Sequence, residues 1–291
     1  MSEARPAVSV LILTLNEADN LPRCLDALAW CDDVVVLDSG STDGTVELAR
    51  ARGARVLERP FDDFATQRNF GIDAGDWRHE WILHLDADEV VTPDLVEELA
   101  RRVGRETFLA YRLPSRLMFM GQWLRHCGDY PAYQVRLGRR DALRFHQVGH
   151  GQREALAPDQ VGTFEADYLH YSFSKGLGDW FARHNRYSDD EARHALGLAQ
   201  AGGGFRPGDL LSGDRTTRRR ALKDLAANLP LRGTLRLLHL FVLRGGFRDG
   251  RAGWIYCRMM SVYEQMIAIK SAYARSPEGE TVPRSASSAA K

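Results

Sequence analysis

The chain has 291 residues, with 39 Lys and Arg against 39 Asp and Glu, so its formal net charge is zero. A hydrophobic fraction of 44% and a charged fraction of 27% are typical of a globular protein and exclude a disordered chain. The length suits one large domain, or one domain with an appendage.

The charge is unevenly distributed along the chain. Residues 1–100 carry 21 acidic and 8 basic side chains, whereas residues 201–260 carry 12 basic and 4 acidic ones. This asymmetry predicts an acidic catalytic half and a basic C-terminal segment with a different surface.

The four cysteines are widely spaced, which predicts neither a zinc site nor a disulfide framework and favours a reducing compartment. The first residues lack the long apolar region of a signal peptide. No stretch approaches the roughly 20 apolar residues of a membrane-spanning helix. We therefore expect a cytoplasmic protein whose contact with a membrane is peripheral.

Strand-like and helix-like segments alternate over the first 100 residues. Strands are predicted at 8–13, 34–37, 54–57 and 81–85, and helices from 21, at 45–52, at 64–74 and from 93. Thr92 is the expected N-cap of the last helix, with Pro93 in its first position. Such alternation predicts an α/β fold with a mainly parallel sheet flanked by helices.

The pattern changes from residue 108 onward. Extended segments at 108–113, 134–137 and 167–173 predict mixed or antiparallel additions to the sheet that carry an acceptor site, and residues 178–196 and most of 216–273 are helical in pattern. We predict one domain at 1–200, divided into two halves at 1–105 and 106–200. A basic helical extension at 201–275 and a disordered tail at 276–291 follow.

Polar side chains follow three of the predicted strands where each strand ends. They are Thr14, Asn16 and Glu17, then Asp38, Ser39 and Asp43, and then Asp86 and Asp88. In a parallel sheet these positions share one edge, where ligands of open α/β sheets bind. Closely spaced carboxylates suit a hard divalent cation such as Mg2+ or Mn2+. Taken singly, each loop could instead be an ordinary turn, a helix cap or a solvated acidic loop.

Four of these segments together resemble glycosyltransferase family 2 with its GT-A fold, and most of all the WaaE-like branch of bacterial lipopolysaccharide core glycosyltransferases. The resemblance is carried by Thr14-Leu15-Asn16-Glu17, by the run from Asp38 to Thr45, by Gln67-Arg68-Asn69 and by Leu85-Asp86-Ala87-Asp88-Glu89. It continues more thinly at Tyr133–Arg140, Leu169–Phe173 and Gly246–Gly250. The resemblance implies that residues 1–200 form a GT-A catalytic domain, with a nucleotide-sugar half at 1–105 and an acceptor half at 106–200.

The resemblance implies an inverting, metal-dependent transfer of a sugar from a nucleotide-diphosphate donor, a UDP-hexose, to a cell-envelope glycan or glycolipid such as lipopolysaccharide core. The implied donor-binding residues are Thr14, Asn16, Glu17, Asp38, Ser39, Arg68 and Asp86. The implied ligands of Mg2+ or Mn2+ are Asp86, Asp88 and His170, with Asp88 the direct ligand. A lone histidine between aromatic and apolar residues, such as His170, is otherwise more often structural.

Inverting transfer also needs a general base for the acceptor hydroxyl. Asp86 and Asp88, separated by one residue, form the DxD pair of the resemblance. The acidic candidates between this pair and His170 are Asp129, Asp141, Glu154 and Asp159. We favour Glu154, with His150 as the other possibility. Gly151 follows His150 directly, which departs from the Val-His-Glu arrangement common in the branch, and a surface position for Glu154 is the simple alternative.

The basic segment at 229–244 interleaves Leu and Phe with Arg232, Arg236 and Arg244. Such a helix either packs on the core or lies on an anionic bilayer, and the surrounding excess of arginine favours the surface of the inner membrane. No RNA- or DNA-binding motif accompanies this basic patch, so we expect no nucleic-acid partner.

The main rival is a haloacid-dehalogenase-type phosphatase with Asp86 as its nucleophile, since the run from Asp86 to Val90 also fits that motif. That family carries the motif on its first strand, whereas a complete α/β unit precedes it here. A sugar nucleotidyltransferase should carry a Gly-rich loop after the first strand, which residues 14–17 do not form. A non-catalytic binding module is disfavoured by the intact pair of aspartates.

Overall fold

A computed structural model describes residues 5–148, 151–200 and 231–276, together with residues 208 and 218. The chain forms two compact units. The first contains the residues up to Trp123 and Gly128–Ser174, and the second contains Leu124–Cys127 and the residues from Lys175 onward.

The first unit is built on one large sheet. Its strands are β1 (Val8–Thr14), β2 (Val34–Asp38), β3 (Arg55–Glu58), β4 (Trp81–Asp86), β5 (Glu89–Val91), β6 (Ala110–Phe119), β7 (Gln122–Trp123), β8 (Ala132–Arg139), β11 (Val161–Thr163) and β12 (Tyr168–His170). A separate hairpin consists of β9 (Phe145–Val148) and β10 (Gly151–Glu154).

Four helices accompany the parallel part of the sheet: α1 (Leu21–Asp26), α2 (Thr45–Ala51), α3 (Phe64–Ala74) and α4 (Pro93–Arg102). Pro22 lies in the first turn of α1, where its missing N–H costs no hydrogen bond. Thr92 caps α4 by accepting a hydrogen bond from the backbone N–H of Leu95. The predicted Thr92 cap is confirmed.

The order of the main strands is β3-β2-β1-β4-β8-β6-β12-β5. The strands β3, β2, β1 and β4 are parallel, while β8 runs antiparallel to both β4 and β6. This mixed sheet, parallel in its first half and extended by antiparallel strands, confirms the expected α/β architecture.

Both faces of the inner parallel strands β1, β2 and β4 are buried almost throughout, which explains their continuous apolar sequence. On β1 the side chains of Val10 and Ile12 join one core cluster, and those of Leu11 and Leu13 join another on the opposite face. Every residue of β1 is buried.

Strand register brings the polar strand ends to one edge of the sheet. Thr14 at the end of β1 is paired with Asp38 at the end of β2, and Leu13 is paired with Asp86 at the end of β4. The predicted convergence of the first, second and fourth strand ends is therefore present in the structure.

The second unit is helical: α5 (Gly176–Gln200), α6 (Arg232–Leu238), which continues as a π-helical turn at His239–Leu243, and α7 (Gly250–Ala274). Helix α5 packs along α7, where Lys270 Nζ lies 2.6 Å from Asp189 Oδ1. Helix α5 belongs to the same compact unit as the C-terminal helices, and the boundary at residue 200 between a catalytic domain and a helical extension stays a prediction. Most of 201–230 and the tail from 277 lie outside the described residues.

None of the helices in the described ranges is both long enough and apolar enough to cross a membrane.

Candidate functional site

Asp38 organises the loop after β2. Its Oδ1 accepts hydrogen bonds from the backbone N–H groups of Gly40, at 2.9 Å, and Ser41, at 2.7 Å. Its Oδ2 accepts from Thr14 Oγ1 at 2.8 Å and from the Ser41 hydroxyl. Because Asp38 is 1% exposed and its oxygens are this well occupied, it holds the loop in shape and joins it to β1.

The loops after β1 and β2 are also joined through Asn16, which has a left-handed backbone with φ of 54°. Its backbone N–H donates to Ser41 Oγ over 2.7 Å, and its side-chain oxygen accepts from the backbone N–H of Thr42 over 2.8 Å. The backbone N–H of Glu17 donates to Thr45 Oγ1. The two predicted donor loops thus form one connected wall of the site.

Ser39 ties this wall to helix α3. Its hydroxyl accepts a hydrogen bond from Gln67 Nε2 over 3.1 Å, and its backbone N–H donates to Thr14 O. Gln67, the first residue of the Gln67-Arg68-Asn69 segment, therefore lies beside the loop after β2.

The turn between β4 and β5 contains two carboxylates that share one arginine. Arg136 Nη2 on β8 donates to Asp86 Oδ2 over 2.9 Å and also contacts Glu89 Oε1. Arg68 Nη2 donates to Asp86 Oδ1 over 2.8 Å. The side chain of Asp86 is 32% exposed, while Glu89 is fully buried. One oxygen of Asp86 thus faces each arginine.

The two arginines control the ionisation of this turn. Burial acts to raise the pKa of Asp86, but Arg136 and then Arg68 outweigh it and hold that pKa well below its usual value. Burial raises the pKa of Glu89, and Arg136 opposes the rise. Although burial disfavours a charged guanidinium, Glu89 and Asp86 raise the pKa of Arg136 further, so Arg136 stays charged.

Arg68 keeps unused hydrogen-bond donors inside the site. Its Nε and Nη1 atoms are buried and have no partner among the described residues, and its side chain is 1% exposed. An orphaned guanidinium N–H in a protein interior is costly unless a further group accepts from it. An anion, or a carbonyl of a nucleobase, would satisfy these donors.

His84 lies on β4 two residues before Asp86 and is 1% exposed. Burial, followed by the charge of Arg68, lowers its pKa well below the usual value, so the ring is neutral. Both ring nitrogens lack a partner among the described residues. Its ring meets that of Phe145 edge to face at 5.3 Å, so packing holds it in place.

Asp88 and His170 are brought together by the pairing of β5 with β12, which sets His170 opposite Glu89. The distance between His170 Nε2 and Asp88 Oδ2 is 3.5 Å. Both side chains remain partly exposed, at 29% and 21%. Burial acts to lower the pKa of His170, but the Asp88 carboxylate raises it above its usual value.

The donor set partly fits a divalent cation. Asp88 and His170 present an oxygen and a nitrogen side by side, a combination that suits Mn2+ better than Mg2+. Asp86 is turned to the two arginines, and the described residues contain no converging group of three His, Cys, Asp or Glu side chains. A cation here would take two ligands from the chain and the rest from a diphosphate or water; Asp86 as a third ligand stays a prediction.

Glu154, the favoured general base, lies at the base of the β9–β10 hairpin, opposite Phe145. This hairpin is attached to α3, where Asn69 Nδ2 donates to Phe145 O over 2.8 Å and Asn69 Oδ1 accepts from the Phe145 N–H. His150 lies outside the described residues. Both assignments stay predictions.

Arg136 and Glu89 are the site residues that the sequence reasoning missed. Arg136 stands between Val135 and Leu137 in β8, and only 4% of its side chain is exposed. A charged residue inside an apolar strand is a signal of burial with a partner. The sequence could have supplied that signal, but not the identity of the partner.

The phosphatase alternative requires Asp86 to attack phosphorus with a carboxylate oxygen. Both oxygens of Asp86 instead accept hydrogen bonds from arginines. The motif also lies on the fourth strand in chain order. The geometry therefore does not favour Asp86 as a nucleophile.

Residues 9–149 match the family model described as Glycosyl transferase family 2. The glycosyltransferase RP128 of Rickettsia prowazekii, described as uncharacterized, is 30% identical over 118 residues, covering 39% of this chain and 40% of that protein. The lipopolysaccharide core biosynthesis glycosyltransferase LpsC of Rhizobium meliloti is 26% identical over 188 residues, covering 62% of this chain and 68% of that protein. The chain thus spans about two fifths of the length of the first curated relatives that it matches.

A solved structure with a similar chain is that of glucosyl-3-phosphoglycerate synthase from Mycobacterium tuberculosis in complex with Mn2+, UDP and glucosyl-3-phosphoglycerate. The TM-score is 0.43 at 19% sequence identity, and the match covers 68% of this chain and 81% of the other.

Proposed function

We propose that the protein transfers a sugar from a nucleotide-diphosphate donor, a UDP-hexose, to a cell-envelope glycan or glycolipid, a proposal supported by the match of residues 9–149 to the family model described as Glycosyl transferase family 2. The observation that carries the proposal is Arg68: a buried arginine with two unused donors at the edge of the sheet where the loops after β1, β2 and β4 meet. The nucleoside lies against the wall formed by Thr14, Asn16, Glu17, Asp38 and Ser39.

Arg68 binds the diphosphate or the base of the donor. Guanidinium groups suit phosphate oxygens because their N–H groups form a planar fork. Asp86 orients this fork by accepting from Nη2, which leaves Nε and Nη1 for the ligand. Arg136 in turn fixes Asp86, so the chain holds the donor-binding arginine through two successive ion pairs.

Asp88 and His170 are the residues that would hold Mn2+ or Mg2+. A divalent cation there supplies charge stabilisation for the departing nucleoside diphosphate. Asp88 provides the carboxylate ligand, and the neutral form of His170 provides the imidazole ligand. Their contact across the β5–β12 pair supports this role.

In the transfer step an acceptor hydroxyl oxygen forms a bond to the anomeric carbon as the bond from that carbon to the diphosphate oxygen breaks. The hydroxyl proton passes to a general base, for which Glu154 is proposed, with His150 as the alternative. Attack opposite the leaving group inverts the anomeric configuration. Glu154→Gln should lower kcat at least about 100-fold with donor KM little changed, and a normal rate would assign the proton to another group.

The acceptor is proposed to be a cell-envelope saccharide or glycolipid such as lipopolysaccharide core, which the name of the LpsC relative supports. Helix α6 and its continuation carry an apolar stripe of Leu231, Leu235, Leu238 and Val242, with exposed fractions of 63%, 45%, 51% and 54%. Arg244, Arg248, Arg251 and Arg258 are exposed nearby in the chain. This combination supports peripheral binding to the cytoplasmic face of an anionic membrane.

The test is a screen of UDP-, GDP- and TDP-hexoses by thermal shift with Mn2+, followed by detection of released nucleoside diphosphate. A bound donor raises Tm by mass action. Arg68→Lys should weaken binding of the selected nucleotide about tenfold or more because the fork is lost. The surface variant Arg50→Gln serves as the matched control, since Arg50 only pairs with Glu58 in solvent. No stabilisation by any nucleotide, in either protein, would contradict the proposed function.

A further inference from the structure

A small pocket adjoins the Asp88–His170 pair within the first unit. It has a volume of about 140 Å³ and is lined chiefly by Arg23, Met118, Phe119, Met120, Tyr171 and Phe173. We call it the aromatic pocket. Tyr171 follows His170 directly, and its backbone N–H donates to Asp88 O over 2.8 Å. One wall of the pocket is thus attached to the proposed metal site.

The turn between β6 and β7 forms part of the pocket lining. Met120 in this turn has a left-handed backbone with φ of 51°, and it is 53% exposed. Such a conformation is costly for a residue with a side chain, and costs of this kind cluster at functional sites. Behind the turn, the rings of Phe119 and Phe173 pack at 4.4 Å and form a rigid apolar floor.

The polar feature of the pocket is Arg23. Its guanidinium carbon lies 3.6 Å from the centre of the Tyr171 ring, a stacked cation–π contact. The hydrogen bond from Arg23 Nη2 to Asn20 Oδ1 is long, at 3.4 Å. Stacking uses the face of the guanidinium and leaves its N–H edges available, so Arg23 presents a positioned positive charge to whatever enters the pocket.

This combination of groups suits one class of ligand. Aromatic and methionine side chains contact the C–H faces of a sugar ring, while an arginine fork binds a carboxylate or phosphate. A volume of about 140 Å³ has room for one ring and not for an extended chain. The proposed binding surface for the nucleoside is formed by the loops around Asp38. The aromatic pocket is therefore available for the second substrate, the acceptor.

We propose that the aromatic pocket binds an acidic monosaccharide unit of the acceptor, with Arg23 pairing with its carboxylate or phosphate group. The proposal rests on the proposed function, because it assigns the second substrate of the same site. Arg23 is a specificity-determining residue in this arrangement: it selects an anionic acceptor and takes no part in donor binding.

The experiment uses the full chain saturated with UDP and Mn2+ and three probes: methyl β-D-glucuronide, glucose 6-phosphate and the neutral methyl β-D-glucoside. Ligand-observed NMR titrations measure each dissociation constant. We expect at least one acidic probe to bind wild type at least fivefold more tightly than the glucoside. The two acidic arms distinguish a carboxylate from a phosphate as the recognised group.

Three variants complete the design. Arg23→Gln should abolish the preference for the acidic probe, Arg23→Lys should retain part of it, and Arg50→Gln should keep it in full. Circular dichroism and Tm confirm that each variant is folded. Equal binding of acidic and neutral probes by wild type, or an undiminished preference in Arg23→Gln, would overturn the inference.

Binding of UDP with Mn2+, measured by thermal shift on the same samples, separates this inference from the proposed function. If wild type binds UDP but shows no acidic preference, the acceptor inference fails alone. If wild type does not bind UDP, the proposed function itself fails.

Discussion

Arg136 Nη2 lies 2.9 Å from Asp86 Oδ2, so the first carboxylate of the DxD pair is held by a residue of a neighbouring antiparallel strand. Arg136 also contacts Glu89, the residue that ends the motif. The three carboxylates of the motif therefore have different partners. Asp86 and Glu89 contact arginines, while Asp88 contacts His170. Repulsion between the carboxylates is relieved by these partners before any cation binds.

Replacement of Arg136 with Met should lower the free energy of unfolding by about 3–5 kcal/mol, because it leaves the fully buried Glu89 without its cation. Urea denaturation measures this difference. The double variant Arg136→Met/Glu89→Gln should be more stable than the single one, since the uncompensated charge is then removed. The surface variant Arg50→Gln is the control and should have a free energy of unfolding within about 0.5 kcal/mol of wild type. If Arg136→Met loses no more stability than Arg50→Gln, the arginine network does not stabilise the fold.

Removal of a proposed metal ligand should weaken Mn2+ binding in the presence of UDP. We expect Asp88→Asn and His170→Gln each to raise the Kd for Mn2+ at least about tenfold, by loss of one of the few ligands the chain supplies. Water-proton relaxation measures Mn2+ binding without reference to activity. Asp94→Asn is the control, because Asp94 is an exposed carboxylate in the same unit. Unchanged binding in both ligand variants would place the cation elsewhere.

We predict that the free energy of unfolding depends on pH through Asp33, the residue directly before β2. It is 2% exposed and accepts hydrogen bonds from Ser9 Oγ, from the Arg78 N–H at 2.8 Å and from Arg55 Nη2 at 2.7 Å. Burial acts to raise its pKa, but these donors outweigh burial and lower it. Asp33→Asn should therefore cost about 2 kcal/mol at pH 7.

The sign follows from the lowered pKa of Asp33 in the folded state. Its stabilising contribution is complete above the pKa of an unfolded aspartate, about 4, and is lost as pH falls through the lower folded value. The stability gap between wild type and Asp33→Asn should be constant from pH 7 to about 4 and narrow below it. A gap that widened on acidification would contradict the assignment.

The apolar stripe of α6 should mediate membrane binding. The double variant Leu235→Glu/Leu238→Glu should lose most of its binding to vesicles of phosphatidylglycerol and phosphatidylcholine, measured by flotation, because the stripe can no longer enter the interface. Ile269→Glu is the control, because it also replaces an exposed aliphatic side chain with glutamate. Ile269 is 67% exposed and lies on α7 of the same unit. Equal loss in both proteins, or no binding by wild type, would leave the stripe without a membrane role.

Local sequence patterns predicted the parallel half of the fold well. The limits of α3 at Phe64–Ala74 and the Thr92 cap of α4 follow from residues a few positions apart, so neighbouring side chains suffice to predict them. Strand β5 was not predicted, because its three residues are too few to show a period. Its existence depends on pairing with β12, far along the chain.

The sequence by itself determined the α/β order, the polar strand ends and their common edge, since hydrophobic periodicity, capping and turn residues act between close neighbours in the chain. Only the tertiary structure decided which charges meet. Arg136 contacts Asp86, 50 residues away in the chain, because the register of β8 against β4 brings the two side chains together. Arg23 contacts Tyr171 through tertiary packing. Such contacts depend on tertiary structure and not on local propensity. The motif from Asp86 to Glu89 could therefore be recognised in the sequence, while its partner Arg136 could not.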